Sequence, residues 1–189
     1  MVAYRKLPNL KFLICRNDQN SLVAPPQHAS NFGYQDTGCK CLLCRASLFG
    51  QYVVSPAMPG YRLKIPEAIS CKSGPGVIYH IVCNSGKQQC KNAHYVGRAF
   101  TNGSDKYPMR LRWSNHKYHF RTNYNGCKMT DHLLKFHKGE DPQSFLKVTL
   151  LQQAETLHET LQLEVKWTRR LYAYIPTGLN EREEDTQAL

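Results

Sequence analysis

Gly76-Val-Ile-Tyr-His-Ile-Val-Cys83, followed by His94-Tyr-Val-Gly-Arg98, is the stretch that decides the fold. The first run is rich in β-branched residues and lies between Pro75 and Asn84-Ser85-Gly86, which predicts a strand. The second reads as a short strand close enough to pair with the first as a hairpin. Further along, residues 107–120 read as a helix starting near Pro108, with Leu111, Asn115 and Tyr118 spaced as one face. Residues 130–137 read as a short helix stopped by Gly139, and residues 145–151 as a third strand. Residues 154–174 form the longest helix candidate, ended by Pro176 and Gly178. The order β-β-α-α-β-α predicts an α+β fold, a small three-stranded antiparallel sheet flanked by helices.

Upstream the texture differs. Residues 1–70 are loop-rich, with Pro8, Pro25, Pro26, Pro56, Pro59 and Pro66 scattered among short apolar pieces. Adjacent prolines make residues 21–33 an extended connector, since they forbid helix and favour polyproline geometry. The full length of 189 residues allows one domain plus an appended segment, with a core large enough to need no disulfides. No apolar run reaches the roughly 18–20 residues of a membrane span. Met1 to Arg5 lack the apolar region of a secretory signal, and no internal repeat or low-complexity tract is present.

Charge and cysteine content depart from average. The net charge is +11, and eight cysteines accompany eight histidines. Residues 141–189 carry five basic against eight acidic side chains, a net −3 that leaves +14 for residues 1–140. A basic body attracts polyanions without reading their sequence. With this many metal-ligating side chains, a nucleic-acid partner and bound metal are expected ahead of a disulfide-stapled secreted domain.

Three sets of residues carry candidate chemistry. Arg112 and His116 are four apart on a predicted helix and project from one face, offering a cation for phosphate and an imidazole for proton transfer. Tyr79 and Tyr95 each sit in a strand of the hairpin, and phenols can activate or orient a water. Glu164 in the long helix is a hard-oxygen ligand of the kind Mg²⁺ prefers.

Taken in order, Gly76-Val-Ile-Tyr79, Tyr95-Val-Gly97, Arg112-x-x-x-His116, Glu164 and Asn180 resemble the GIY-YIG nuclease superfamily. The first motif ends in VIY rather than GIY. Cysteine-bearing loops before and inside the domain, Glu164-x-x-Trp167 and the Pro176-x-Gly-Leu-Asn180 ending are similar to the endonuclease domain of Penelope-like retroelements, over about residues 39–182. The resemblance implies a DNA endonuclease that hydrolyses phosphodiester bonds and opens target DNA for element insertion. It implies Tyr79 as general base or water-orienting group and Tyr95 as a positioning group. Arg112 would stabilise charge on the scissile phosphate, and His116 would transfer a proton nearby. Glu164 would hold one Mg²⁺ or Mn²⁺, and Asn180 would hold substrate or site geometry.

The same family carries a Cys-Cys-His-His set, which maps onto Cys83, Cys90, His132 and His137 as a structural zinc site. His132 and His137 have four residues between them, within zinc spacing; the six between Cys83 and Cys90 exceed a normal knuckle. A second zinc set is Cys39, Cys41, Cys44 and Cys71, with His28 as an alternative ligand because Cys39-x-Cys41 is tight. Cys15 and Cys127 read as free thiols. Four segments result: a linker-like extension (1–38), a cysteine-rich knuckle (39–71), the nuclease domain (72–182) and an acidic tail (183–189). The expected setting is nuclear or otherwise intracellular and reducing, with DNA as partner, RNA or a reverse-transcriptase domain as further partners, and no membrane. The alternative is a catalytically silent, zinc-stabilised DNA-binding module derived from a retroelement, motivated by Met1 and the lack of a reverse-transcriptase segment.

Overall fold

In the computed structural model the described residues are 32–101, 107–122 and 128–181. Their centre is an antiparallel sheet in the order β6-β5-β7, formed by β5 (Gly76–Cys83), β6 (His94–Phe100) and β7 (Leu146–Ala154). Tyr79 sits opposite Gly97, and Ile78 opposite Arg98. The pairing of β5 with β7 slips between Ile78 and Tyr79, where Leu151 of β7 is the extra residue. Both faces of β5 are covered, which is why its sequence is an almost unbroken apolar run.

Alternation along β5 divides the core in two. Val77, Tyr79, Ile81 and Cys83 face a cluster with Met109, Trp113, Met129 and Leu133 from α2 (Pro108–Thr122) and α3 (Lys128–Phe136). Ile78 faces the other way, onto Leu163, Trp167 and Leu171 of α5 (Leu157–Arg170) and the turn after it. The short α4 (Pro142–Phe145) leads into β7, with Asp141 accepting a hydrogen bond from the Gln143 N–H as its cap.

Several expected boundaries shift, each for a local reason. The long helix begins at Leu157 rather than Ala154, because β7 continues to Ala154 and Thr156 caps the helix by accepting from the Glu159 N–H. It ends at Arg170 rather than Tyr174. Tyr172 takes a φ of 55°, and the Tyr172 and Ala173 N–H groups bond back to the Arg169 and Thr168 carbonyls, closing a Schellman turn. The apolar face of α2 is also not the expected one. Met109, Trp113, His116 and Phe120 are buried, whereas Leu111 and Tyr118 are 49% and 64% exposed. At about 100° per residue, 109, 113, 116 and 120 share a stripe, while Leu111 and Asn115 turn toward a cleft.

The knuckle segment is more regular than its prolines suggest. It contains α1 (Leu42–Arg45), the hairpin of β2 (Tyr52–Val54) and β3 (Arg62–Lys64), and β4 (Ala68–Ile69), which pairs in parallel with β1 (Gly33–Tyr34). Three-residue strands buried at only one central residue, Val53 and Leu63, leave too short a pattern to read from sequence. Val53 and Leu63 join the α5 side of the core, while Leu43, Ile65 and Ile69 join the α2 side. No helix among the described residues is long and apolar enough to cross a membrane. His28, Cys15, Cys127 and the 183–189 tail lie outside the described residues.

Candidate active site and metal centres

The site straddles the edge strand β6, between α2 on one face of the sheet and α5 on the other. Buried Tyr79 places its hydroxyl 2.7 Å from His116 Nε2, and the Arg112 Nε–H donates to the same oxygen at 3.3 Å. Arg112 can only donate, so one consistent arrangement has the phenol O–H donating to a neutral imidazole. Burial, together with nearby Arg112 and His119, lowers the His116 pKa to about 3 and keeps it neutral. The Tyr95 ring lies 6.5 Å from that of Tyr79. Gly97 makes this packing possible: a Cβ there would lie 2.6 Å from the Tyr79 hydroxyl oxygen and 2.6 Å from Tyr95 Cε1.

A cleft of about 460 Å³ opens beside this group. Tyr95, Arg98, Arg112, Asn115 and Glu164 line it, so Arg112 belongs both to the cleft wall and to the hydrogen-bonded chain. Among the described residues Glu164 is the only acidic one in the lining, and its carboxylate forms an ion pair with Arg98. The sequence reading missed Arg98. The signal was available in the register, since Arg98 pairs with Ile78, which faces the helix that carries Glu164.

The residues thus fall into two connected groups. Tyr79, His116 and Arg112 share hydrogen bonds inside the wall; Tyr95, Arg98, Arg112 and Glu164 line the opening. Asn180 stands apart. Its Oδ1 accepts from the Val96 N–H at 2.9 Å and its Nδ2 donates to the Val96 carbonyl at 2.7 Å. It mimics a paired strand residue and clamps residues 171–180 onto the outer edge of β6, holding geometry between Tyr95 and Gly97.

Two Cys/His clusters have the chemistry and spacing to hold a metal such as zinc. In the first, the ligand atoms of Cys83, Cys90, His132 and His137 lie within 4.8 Å of one another and all four residues are buried. His137 Nε2 is 3.4 Å from Cys83 Sγ and 3.1 Å from Cys90 Sγ. Tetrahedral zinc separates nitrogen and sulfur ligands by about 3.5 Å. Two further observations fit a metal. His132 Nε2 is buried with no hydrogen-bond partner. His137 Nδ1 lies 3.4 Å from the Glu140 carboxylate, which Lys87 also engages, so a carboxylate fixes the outer nitrogen of a ligand histidine. The six-residue gap between the cysteines is accommodated by the short 3₁₀ turn at Gln88–Cys90.

The second cluster gathers the thiols of Cys39, Cys41, Cys44 and Cys71 within the same 4.8 Å limit. The tight Cys39-x-Cys41 spacing does not separate them, because Cys44 returns on α1, with its sulfur 3.4 Å from that of Cys41. A hydrogen bond from the Cys41 backbone lowers the Cys39 thiol pKa to about 7, while burial raises that of Cys44. Arg110 of α2 donates to Cys39 Sγ at 3.0 Å and to Cys71 Sγ at 3.3 Å.

A third polar group is buried in the sheet. His80 Nε2 lies 3.0 Å from His94 Nδ1, and His94 Nε2 meets the Thr177 carbonyl at 3.2 Å. Burial lowers the His94 pKa to about 4 and that of His80 well below its ordinary value. A histidine whose folded pKa is depressed adds stability that is fully present above the unfolded value of about 6.5 and is lost as pH falls toward the folded value. The ring resonances of His94 and His116 are therefore expected to show no titration midpoint between pH 8 and 5 in NMR spectra. A midpoint near 6.5 for either would contradict its burial as a neutral ring.

Comparison of the chain with protein-family models, with curated proteins and with solved structures gives no match in any of the three.

Proposed function

We propose that this chain is a divalent-metal-dependent DNA endonuclease of GIY-YIG type, close to the endonucleases of Penelope-like retroelements and built around structural zinc. The observation that carries this reading is the junction at Arg112, which hydrogen-bonds Tyr79 beside His116 and lines the same cleft as the carboxylate of Glu164. Arg112 and Arg98 supply positive charge where a phosphodiester would enter. Tyr79, its O–H held by neutral His116 through the 2.7 Å bond, anchors Arg112 from behind the cleft wall, and its hydroxyl would orient the attacking water where the cleft reaches it. Tyr95 positions the reacting groups from the cleft wall. Asn180 keeps β6 in register.

Glu164 would hold Mg²⁺ or Mn²⁺, which would supply charge neutralisation at the phosphate and the leaving oxygen. Cys83, Cys90, His132 and His137 would hold one zinc, and Cys39, Cys41, Cys44 and Cys71 a second. The excess positive charge of residues 1–140 favours a polyanionic partner, and RNA competes with DNA for the same electrostatic attraction.

One feature favours the alternative, a zinc-stabilised module that binds DNA without cutting. Glu164 is already engaged by Arg98, so the carboxylate is neutralised by a side chain of its own protein. A labelled duplex incubated with the zinc-loaded chain in Mg²⁺, in Mn²⁺ or with no added divalent ion separates the two. Cleavage in either metal and none without it is the result expected. Binding in all three without cleavage would establish the silent module, and neither binding nor cleavage would contradict both.

A further inference from the structure

We propose that Arg110 is a positioning residue through which the cysteine cluster of the knuckle sets the orientation of the cleft-facing side of α2. The inference deepens the nuclease reading and rests on it for its catalytic consequence, though the link between cluster and helix stands on geometry alone. Arg110 donates through Nη2 to two sulfurs, those of Cys39 and Cys71, and its guanidinium stacks on the Tyr107 ring at 4.4 Å. Arg110 is half-buried, and its Nε is covered with no hydrogen-bond partner, so the group is held by sulfur and aromatic contacts.

Helix geometry turns this contact into a lever. Arg110 and Arg112 are two residues apart and so point about 200° apart around the axis, straddling the buried stripe of Met109, Trp113 and His116. One reaches the cysteines; the other reaches Tyr79 and lines the cleft. Both lie in the first two turns of α2. The same flank is tied to the knuckle a second time: Lys117 donates to Gln143 Oε1, and Gln143 Nε2 donates to the Leu42 carbonyl at the start of α1.

Charge explains why arginine suits this place. Four thiolates around one Zn²⁺ carry a net −2, and a guanidinium donating to two of them offsets part of it, as outer hydrogen bonds to metal ligands do. The cluster and the arginine therefore stabilise each other. A metal-loaded knuckle fixes Arg110, and a fixed Arg110 sets the rotation of the turn that carries Arg112. Loss or oxidation of the cluster would loosen the same turn.

The test is a double-mutant cycle on the full chain with Arg110→Met and Cys44→Ser, plus Arg110→Lys. Three quantities are read: zinc release to a chromogenic chelator, amide hydrogen exchange over residues 108–122, and kcat and KM for nicking supercoiled plasmid. Arg110→Met is expected to release one of two zincs about 10-fold faster, to raise exchange over 108–122, and to lower kcat about 10-fold with KM unchanged. Arg110→Lys keeps the charge but not the planar fork, and should restore zinc retention while recovering only part of kcat. Cys44→Ser should lose that zinc, and adding Arg110→Met to it should change neither exchange nor kcat further. Wild-type zinc release in Arg110→Met, or effects of the two changes that simply add, would overturn the proposal. If the wild-type chain does not nick DNA, the nuclease reading fails, and the zinc-release and exchange measurements alone decide the Arg110 link.

Discussion

Cys90→Ser is expected to remove one zinc per chain and to lower unfolding stability in urea by about 4 kcal/mol or more, because metal binding at a closed structural site is folding free energy. The four residues of that cluster are all buried, and they join the tip of the β5–β6 hairpin to α3 and to the turn beyond it. Without the ion, His132 Nε2 has no partner and Cys83 is a buried thiol whose pKa burial raises to about 11. Each is a cost that zinc removes. Cys44→Ser should cost less, since three of the four knuckle cysteines are only half-buried. Metal analysis together with urea unfolding checks this. Full zinc content and an unchanged midpoint in Cys90→Ser would show that the four residues are not a metal centre.

Arg112→Ala should lower the nicking rate by about 10²–10³-fold, the range seen when one preorganised charge-stabilising donor is removed. Its effect is expected in the rate of the chemical step and not in DNA affinity, because Arg98 and the remaining basic surface still attract the polyanion. Arg112→Lys should rescue little. A lysine supplies the charge but cannot reproduce the geometry in which Nε bonds the Tyr79 hydroxyl while the rest of the guanidinium faces the cleft. Single-turnover rates and equilibrium binding, measured separately, distinguish the two effects. A variant that loses affinity in proportion to rate would place Arg112 in DNA binding only.

How much was legible in the sequence depended on whether a signal was local. The Gly76–Cys83 strand declared itself because β-branched residues fill a strand buried on both faces. The β-β-α-α-β-α order followed from similar local patterns, except for the four-residue α4 before β7, which is too short to leave a periodic pattern. Tyr79 and Arg112–His116 were legible as a motif, and the structure joins them by hydrogen bonds although residue 79 lies 33 and 37 positions from them. The orientation of α2 was not legible: Leu111 and Tyr118 are apolar enough to suggest a core face, yet one lines a cleft and the other is exposed. Arg98 and Arg110 carry no local signal in the sequence because their partners are distant in it, Glu164 by 66 positions and Cys39 by 71. Asn180 was flagged from its motif, but its pairing with Val96 requires the turn at Tyr172 that brings the chain back to β6.

On the proposed reading, the Glu164 cleft cuts DNA. Nicking of supercoiled plasmid in Mg²⁺ by the zinc-loaded wild-type chain, beside Glu164→Ala at equal zinc content, tests it most directly. Nicked circles with the wild type and a rate at least about 100-fold lower with the variant are predicted. Intact plasmid with both proteins, or equal cutting by both, would contradict it.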